Sequence, residues 1–514
     1  FTRIASQAPS VVVLLSPNNF AAGKGPFIAT NRVWNASTEK ALAPAESIIH
    51  DLVQQGVVNL NDQPFEKEHG IFNIIPYIKK FFPVTTVIPI IVKDTASDTE
   101  VDALGAVLSR VLPADALVIG SFDFSHYLPL PAAEFHDTKS ITVLKSFDYE
   151  GIKTLDIDSK PGLRLLLKIF DAQGARHFGL LNHSNSAKVV GDATIMETTS
   201  YITGLFTQGE AIQEKAFTML AVGDLMLDRN IRKVIKDKNK WYPFQKILRF
   251  LDGQDITVGN LEGGLTNFKP KPLHPMNTTF TFDEALAPFL KKLGFTTFSL
   301  ANNHTRDFGA KGFAQTKENL TKVGLHYFGD YFNQDHVSVV QEVRGVKVGF
   351  VGYHALYGKG FDAVLKELTK LRSSVDFLVV MPHWGIEYNN GFSKLQQKQA
   401  HAMIDAGADL VLGGHPHVIQ PLEVYKNAMI FYSLGNFVFD QMFSVATQQG
   451  LAVGISFSPH EVTYTIFPTR SRALQVALMN AKERATQLHI IAARSIMSPA
   501  HKIQLQQGSI TFKK

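Results

Sequence analysis

The chain has 514 residues, 45% of them apolar and 19% charged, which is too long for one ordinary domain and excludes a disordered protein. Its 51 basic and 46 acidic residues leave a formal charge of +5 with no clustered basic stripe, so a nucleic-acid partner is not expected. Cysteine is absent, which excludes disulfides, thiolate metal sites and cysteine nucleophiles.

No apolar run approaches the roughly 18 residues that a membrane-spanning helix needs. The start, FTRIASQAPS, lacks an initiator Met and a signal-peptide pattern, so the chain is expected to be a processed or truncated product. In chain order, SVVVLLSP, TTVIPIIV and DALVIGSFDFSHY are expected strands. Between the first two, EHGIFNIIPYIKKFF carries Ile71, Ile74, Ile75 and Ile78 at helical spacing, a stripe expected in the core.

A polar stretch, TQGEAIQEK at 207–215, separates two halves near residue 212. Beyond it, FTMLAVGD, DITVGNLE, FTTFSLANNH, VKVGFVGYH, DFLVVMPHWG, DLVLGGHPH and AMIFYSLGNF are expected strands, nearly all running from apolar into polar residues at their C-terminal ends. SRALQVALMNAKERATQLHIIAARSIM reads as helical and QGSITFKK as a terminal strand or tail. Both halves alternate β-rich and amphipathic stretches, so the expected organisation is two α/β domains, 1–210 and 211–468, with a helical extension and tail at 469–514.

Open α/β sheets bind ligands where strands end at their carboxyl edge. The residues following the second-half strands are therefore candidates for one site: Asp224, Asn260, Glu262, Asn302, Asn303, His304, His383, His415 and His417. In extended backbone, residues two apart project to the same side about 6–7 Å apart, so His415 and His417 are expected to face one metal cluster. Gly413 and Gly414 would allow close backbone approach, and Pro416 would keep the intervening turn extended. A lone His-x-His pair also fits two satisfied loop histidines, and an Asp after a strand also fits a turn or helix cap. Recurrence of carboxylate, amide and imidazole at successive strand exits is what points to metal. Mixed oxygen and nitrogen donors suit one or two divalent ions, Mn, Fe, Zn or Mg.

AVGDLML, NLEGGLT, ANNHTRDFGAKGF, MPHWGIEY, DAGADLVLGGHPHVIQPLEVY and IFYSLGNFVFD, in this order within 217–440, resemble the CapA family of poly-γ-glutamate capsule-synthesis proteins. The resemblance implies a metallophosphatase-like four-layer α/β/β/α sandwich, with metal ligands at Asp224, Glu262, Asn303, His383, His415 and His417 and a general acid at His304. Two positions depart from the calcineurin-like pattern: Met226 stands where His is usual, and Glu262 where Asp is usual. The implied function is a metal-dependent hydrolase-type protein of the cell envelope acting on a polyanionic polymer or a phosphoester. The alternative is a non-hydrolytic component that binds polymer or scaffolds an envelope synthesis or export complex. In hydrolysis, divalent ions would acidify a water and neutralise oxyanion charge while His304 protonates the leaving group. Trp384, Tyr388, Phe437 and Phe439 fall near the site by sequence and read as packing.

In the first half, SPNNF, EKEHGIFNIIPYI, VIPIIV and VIGSFDFSHYLP resemble the Memo family, labelled in bacteria AmmeMemoRadiSam system protein B, over roughly residues 8–205. That resemblance implies an extradiol-dioxygenase-like α/β domain with a vestigial site at His69, Asp123 and His126. Where the family has Gly-Pro-Ser-His-His this chain has Ser16, Pro17, Asn18, Asn19 and Phe20; Phe72 replaces a usual Glu and Ser159 a usual Cys. Without those partners His69 and His126 are expected to make structural hydrogen bonds, and the half to be a degenerate binding or docking module.

Overall fold

The computed structural model describes residues 1–34, 41–271, 278–330, 336–356 and 360–514. It divides into two compact units, the first made of Phe1–Tyr127, Ser140–Gly191 and Glu197–Gln213, the second of Leu128–Lys139, Asp192–Met196 and Glu214–Lys514. Among the described residues no helix is long and apolar enough to cross a membrane.

The first unit holds strands β1 (Val11–Pro17), β2 (Phe27–Ala29), β3 (Asn59–Leu60), β4 (Thr86–Val92) and β5 (Leu117–Gly120) in one sheet, ordered β3-β2-β4-β1-β5. β1 runs parallel to both β4 and β5. Every residue of VVVLLSP is buried, as expected of a central strand covered on both faces. Val11, Val13 and Leu15 enter one core with Leu104, Leu108, Leu165 and Ile169, while Val12 and Leu14 enter another with Phe65, Ile71, Ile75 and Ile78. This is the period-two alternation of a strand. A second sheet, ordered β6-β8-β7, contains β6 (Phe124–Leu128), β7 (His177–Asn185) and β8 (Thr198–Thr207).

The isoleucine stripe lies in the core, but not on one helix: helices His69–Phe72 and Ile75–Phe81 divide it. Pro76 lacks an N–H and its ring would clash with the carbonyl of Phe72, so a continuous helix is broken there. Likewise DALVIGSFDFSHY is not one strand, because Ser121–Asp123 leave the first sheet and Phe124 begins the second.

In the second unit the strands are β9 (Phe217–Leu225), β10 (Ile256–Leu261), β11 (Gly264–Thr266), β12 (Thr281–Asp283), β13 (Thr297–Ser299), β14 (His326–Phe328), β15 (Ser338–Val343), β16 (Val346–His354), β17 (Phe377–His383), β18 (Leu410–Leu412), β19 (Leu422–Tyr425), β20 (Ala428–Phe431), β21 (Asn436–Val438), β22 (Gln449–Phe457), β23 (Glu461–Arg472), β24 (Gln475–Leu478) and β25 (Ser509–Lys513). One nine-stranded sheet has the order β14-β13-β10-β9-β22-β23-β24, with β21 on β9 and β25 on β23; a six-stranded sheet has the order β15-β16-β17-β18-β20-β19.

Alternation along the strands defines the layers. Phe217, Met219 and Ala221 of β9 share a core with Val346, Val348 and Phe350 of β16 and Val379 of β17, so the two sheets pack face to face. Leu220 and Val222 point the other way, into a core with Leu286, Leu290, Phe313 and Leu320 from helices Leu286–Lys292 and Gly309–Lys322. Beyond the second sheet, Val351, Leu378 and Val380 pack with Val364, Leu368, Ala400 and Met403 of helices Phe361–Arg372 and Lys394–Asp405. The unit is thus an α/β/β/α sandwich.

Two second-half readings change, one of a strand and one of a helix. AMIFYSLGNF divides into β20 in one sheet and β21 in the other, with Gly435 at φ 70° where the chain crosses. Gln475–Leu478 is a strand rather than part of a helix, because the helix starts only at Ala481, where the Asn480 side chain accepts from Glu483 N at 2.9 Å and the Glu483 carboxylate accepts from Asn480 N.

Candidate metal centre

The register brings polar strand exits together. Asn260 on β10 and Asn436 on β21 both lie opposite Asp224 on β9, and on the other sheet His354 of β16 lies opposite His383 of β17, which bridges Gly414. β9, β10, β16, β17 and β18 are mutually parallel within their sheets, so their carboxyl ends share an edge.

Asp224 and Glu262 are fully buried. Asn260 holds them: its Nδ2 donates to Asp224 Oδ1 at 2.8 Å and to Glu262 Oε2 at 3.2 Å, and lies 3.4 Å from His383 Nδ1. Two amide hydrogens thus serve three acceptors. Asn302 in turn donates to Asn260 Oδ1 at 2.9 Å, fixing the amide's orientation. Glu262 Oε1 is buried without a hydrogen-bond partner among the described residues, 3.5 Å from His417 Nε2 and 4.0 Å from His304 Nε2. Ligand atoms of Asp224, Glu262 and His417 all lie within 4.8 Å of one another, as do those of Glu387, His415 and His417.

His383 Nε2 lies 2.8 Å from Asn303 Oδ1, and its ring centre is 4.8 Å from that of His415. His417 Nδ1 donates to Asn436 Oδ1 at 2.9 Å, an orientation set because Asn436 Nδ2 is committed to Gln441 Oε1 and Thr447 O. That leaves His417 Nε2 with its lone pair toward Glu262. His304 Nδ1 donates to Asp307 Oδ2 at 2.8 Å, which turns Nε2 inward. Asp307 also accepts from Phe280 N at 2.7 Å, and the Phe280 ring packs 4.1 Å from His304.

The His-x-His pair converges, but not by the extended backbone expected of it. His415 has φ 93° and His417 φ 56°, and their ring centres are 5.9 Å apart. A left-handed non-glycine residue costs about 1–3 kcal/mol and persists where surrounding contacts over-determine it. Here His415 N donates to Asp224 Oδ2 at 3.2 Å and Pro416 O accepts from Tyr388 N at 2.8 Å. Gly414 permits this approach, since a Cβ there would sit 2.6 Å from Asp224 Oδ1.

Burial dominates the electrostatics. It pushes Asp224 up to about 6 and Glu262, which also feels Asp224, well above the carboxylate range. It pulls His415 down to about 4 and His417 to about 3, and His383, further opposed by the neighbouring histidines, well below the usual imidazole range. Neutral imidazoles at His415 and His417, an unpartnered carboxylate oxygen and two mutually repelling carboxylates form a donor set that suits a divalent cation.

Sequence reasoning missed several neighbours. His354, buried at the end of β16 with its ring 6.1 Å from His383, carries the same apolar-to-polar signature as the residues chosen. Glu387, Asn436 and Arg229 have no such signature. Trp384, Phe437 and Phe439 are buried, whereas Tyr388 is exposed with its ring 6.1 Å from His417.

Residues 218–441 match the family model of Bacterial capsule synthesis protein PGA_cap, and residues 1–203 that of Memo-like protein. The chain joins a Memo-like region to a PGA_cap region. Capsule biosynthesis protein CapA of Bacillus anthracis is 36% identical over 251 residues, 45% of this chain and 61% of that protein. PGA biosynthesis protein CapA of Bacillus subtilis (strain 168) is 35% identical over 239 residues, 43% of this chain and 62% of that protein. The chain therefore spans about three fifths of the length of these relatives. A MEMO1 family protein of Caldivirga maquilingensis is 26% identical over 204 residues, 38% of this chain and 71% of that protein.

Met226, the departure in the PGA_cap region, is fully buried in the outer core and its sulfur accepts from Asp228 N at 3.1 Å. Its position contributes to packing.

In the Memo-like region, ligand atoms of Asp123 and His126 come together with those of Asp158, while His69 stays outside that group, exposed and 3.8 Å from Glu68. Asn19, standing where the resemblance has His, donates from Nδ2 at 2.7 Å and from its backbone at 3.0 Å to the buried Glu68 carboxylate. The Asn19 side-chain and backbone amides thus satisfy the buried carboxylate. Ser159, in place of a usual Cys, caps helix Lys160–Ala172 by accepting from Gly162 N at 3.1 Å.

Asp158 gives this region a pH signature. Burial pushes it up to about 7, and Oδ1 has no hydrogen-bond partner among the described residues, while Oδ2 accepts from Asp123 N at 3.0 Å. The folded-state value lies above the unfolded one, so the associated stability is fully present below about pH 4 and is lost as pH rises through about 7. The loss is on the order of 4 kcal/mol. Asp158→Asn is expected to flatten this dependence, read by hydrogen exchange across 117–172 in the intact chain between pH 5 and 8; equal pH dependence in both proteins would refute the assignment.

Proposed function

We propose that the second unit is a divalent-metal centre of hydrolase type, serving the synthesis or processing of poly-γ-glutamate or a related polyanionic polymer at the cell envelope. The observation that carries this reading is the orphaned Glu262 Oε1, buried beside Asp224 and His417 with donor atoms within 4.8 Å. Asp224, Glu262, Asn303, His383, His415 and His417 would hold one or two ions of Mn, Fe, Zn or Mg, with Glu387 and His354 beside them. Such an ion supplies an acidified water and offsets oxyanion charge.

The chain's own residues supply the proton chemistry. Asp307 holds His304 by Nδ1, leaving Nε2 directed toward the site. As water's oxygen forms the new bond and the phosphoester or amide bond breaks, Nε2–H gives its proton to the departing oxygen or nitrogen; the proton lost by water restores the ring. The capsule-synthesis match and the identities of the Bacillus proteins support a polyanionic polymer as substrate.

The test is metal analysis followed by turnover of p-nitrophenyl phosphate, bis(p-nitrophenyl) phosphate and poly-γ-glutamate with Mn. His304→Gln is expected to cost about a hundredfold or more in turnover at unchanged metal content. Met226 in place of the usual His favours a second reading, a non-hydrolytic polymer-binding component, and metal with polymer binding but no turnover on any of these compounds would establish it.

A further inference from the structure

Arg229 stands beside the centre with features that metal binding does not explain. It follows Asp228, whose carboxylate accepts from Arg229 N at 2.8 Å, and begins helix Arg229–Asp237 with φ 51°. An arginine has no intrinsic preference for that region, so its placement is imposed by surroundings. The guanidinium packs in the corner of two aromatic rings that meet at 85°, its carbon 5.1 Å from the centre of Phe280 and 5.7 Å from that of Phe439. These rings also face the candidate centre: Phe280 packs on His304 and Phe439 lies 4.8 Å from His417. One amino group pairs with the buried Asp440, whose Oδ2 accepts from Asn230 N at 3.2 Å and Asn230 Nδ2 at 3.0 Å. Nε is buried with no acceptor among the described residues.

The guanidinium is thus anchored by an ion pair through one amino group, packed against two aromatic rings and incompletely hydrogen-bonded among the described residues. A fixed fork with an unfilled donor matches the geometry of a phosphoryl or carboxylate group. The site also needs such a residue, because buried carboxylates alone would repel an anionic substrate. The charge is close enough to act on Glu262, His417 and Tyr388.

We propose that Arg229 is the anion-binding residue of the site, gripping a non-reacting oxyanion of the substrate beside the metal. This rests on the metal-centre reading above, and the sign of its effect on metal separates the two. A cation next to a cation site opposes metal binding, so removing Arg229 should leave metal content equal or higher. A supporting role for metal ligands predicts the opposite.

The test titrates inorganic phosphate and tri-γ-glutamate into Mn-loaded full-length protein by calorimetry, after metal analysis. Arg229→Gln is expected to weaken binding at least tenfold for phosphate, for the γ-glutamyl probe, or for both, at undiminished Mn; which probe responds identifies phosphoryl or carboxylate as the group gripped. Arg229→Lys, keeping charge but losing the fork, should recover only part of the loss. Because Arg229→Gln strands Asp440, the paired Arg229→Met/Asp440→Asn variant is tested alongside and should behave like Arg229→Gln. Wild-type affinity for both probes in that pair, lower Mn in the Arg229 variants, or no binding of either probe by Mn-loaded wild type would overturn the proposal. Wild-type protein without Mn would instead overturn the metal centre.

Discussion

Glu262→Gln is expected to move stability in opposite directions with and without metal. In chelator-treated protein the variant should unfold at higher temperature than wild type, and with saturating Mn at lower. Glu262 is fully buried, its Oε1 has no hydrogen-bond partner among the described residues, and Asp224, Glu387 and Asp307 all oppose its charge. A buried polar group left unsatisfied costs about 1–3 kcal/mol, which a glutamine with a donor for the neighbouring acceptors recovers in part. A divalent ion reverses the balance, since ligand at about 100 times its Kd stabilises by roughly 2.7 kcal/mol and the variant forfeits most of that. Thermal melts of both proteins, with and without Mn, test the crossing. Equal metal-induced shifts would remove Glu262 from the ligand set.

The layered fold was legible because both cores use simple periods. Val11 to Leu15 and Phe217 to Val222 alternate between two cores, as an apolar run covered on both faces must. Breaks inside apolar runs were not legible. Ile71 to Ile78 keeps a helical spacing across Pro76, and AMIFYSLGNF stays apolar while its chain passes from one sheet to the other. Hydrophobicity reports which side is buried and says little about which sheet buries it.

At the candidate centre, strand exits brought Asp224, Asn260, Glu262, His383, His415 and His417 onto one list because parallel strands deliver their ends to one edge. The same rule applies to His354, which a single histidine in VKVGFVGYH made easy to pass over. Glu387 and Arg229 were beyond reach, since a loop carboxylate and a first-turn arginine gain meaning only from what folds against them. The histidine pair shows another limit. A residue before proline favours extended backbone, whereas His415 is left-handed through long-range contacts with Asp224 and the β17–β18 edge.

Gly223→Ala is expected to cost about 3 kcal/mol or more and to lower metal affinity although every candidate ligand remains. The residue sits one position before Asp224, where β9 meets the crossing between sheets. A Cβ there would lie 2.0 Å from Gly435 O and 3.4 Å from Leu434 Cβ. Backbone oxygen cannot rotate aside as a side chain can, so one chain must move. Gly435 O accepts from Asp224 N at 3.1 Å, and the next residue, Asn436, orients His417, so either movement misplaces two parts of the centre. The crossing has little slack, because a Cβ at Gly450 on its far side would lie 2.1 Å from Asn436 O. Gly391→Ala is the control: its Cβ would meet only Asn389 Oδ1, at 3.7 Å. Urea unfolding gives the stability difference, and Mn titration well below the melting temperature gives the affinity. A Gly223→Ala protein within about 0.5 kcal/mol of wild type would mean that β9 and the crossing segment yield without strain, and that close packing at this edge does not set the position of Asp224.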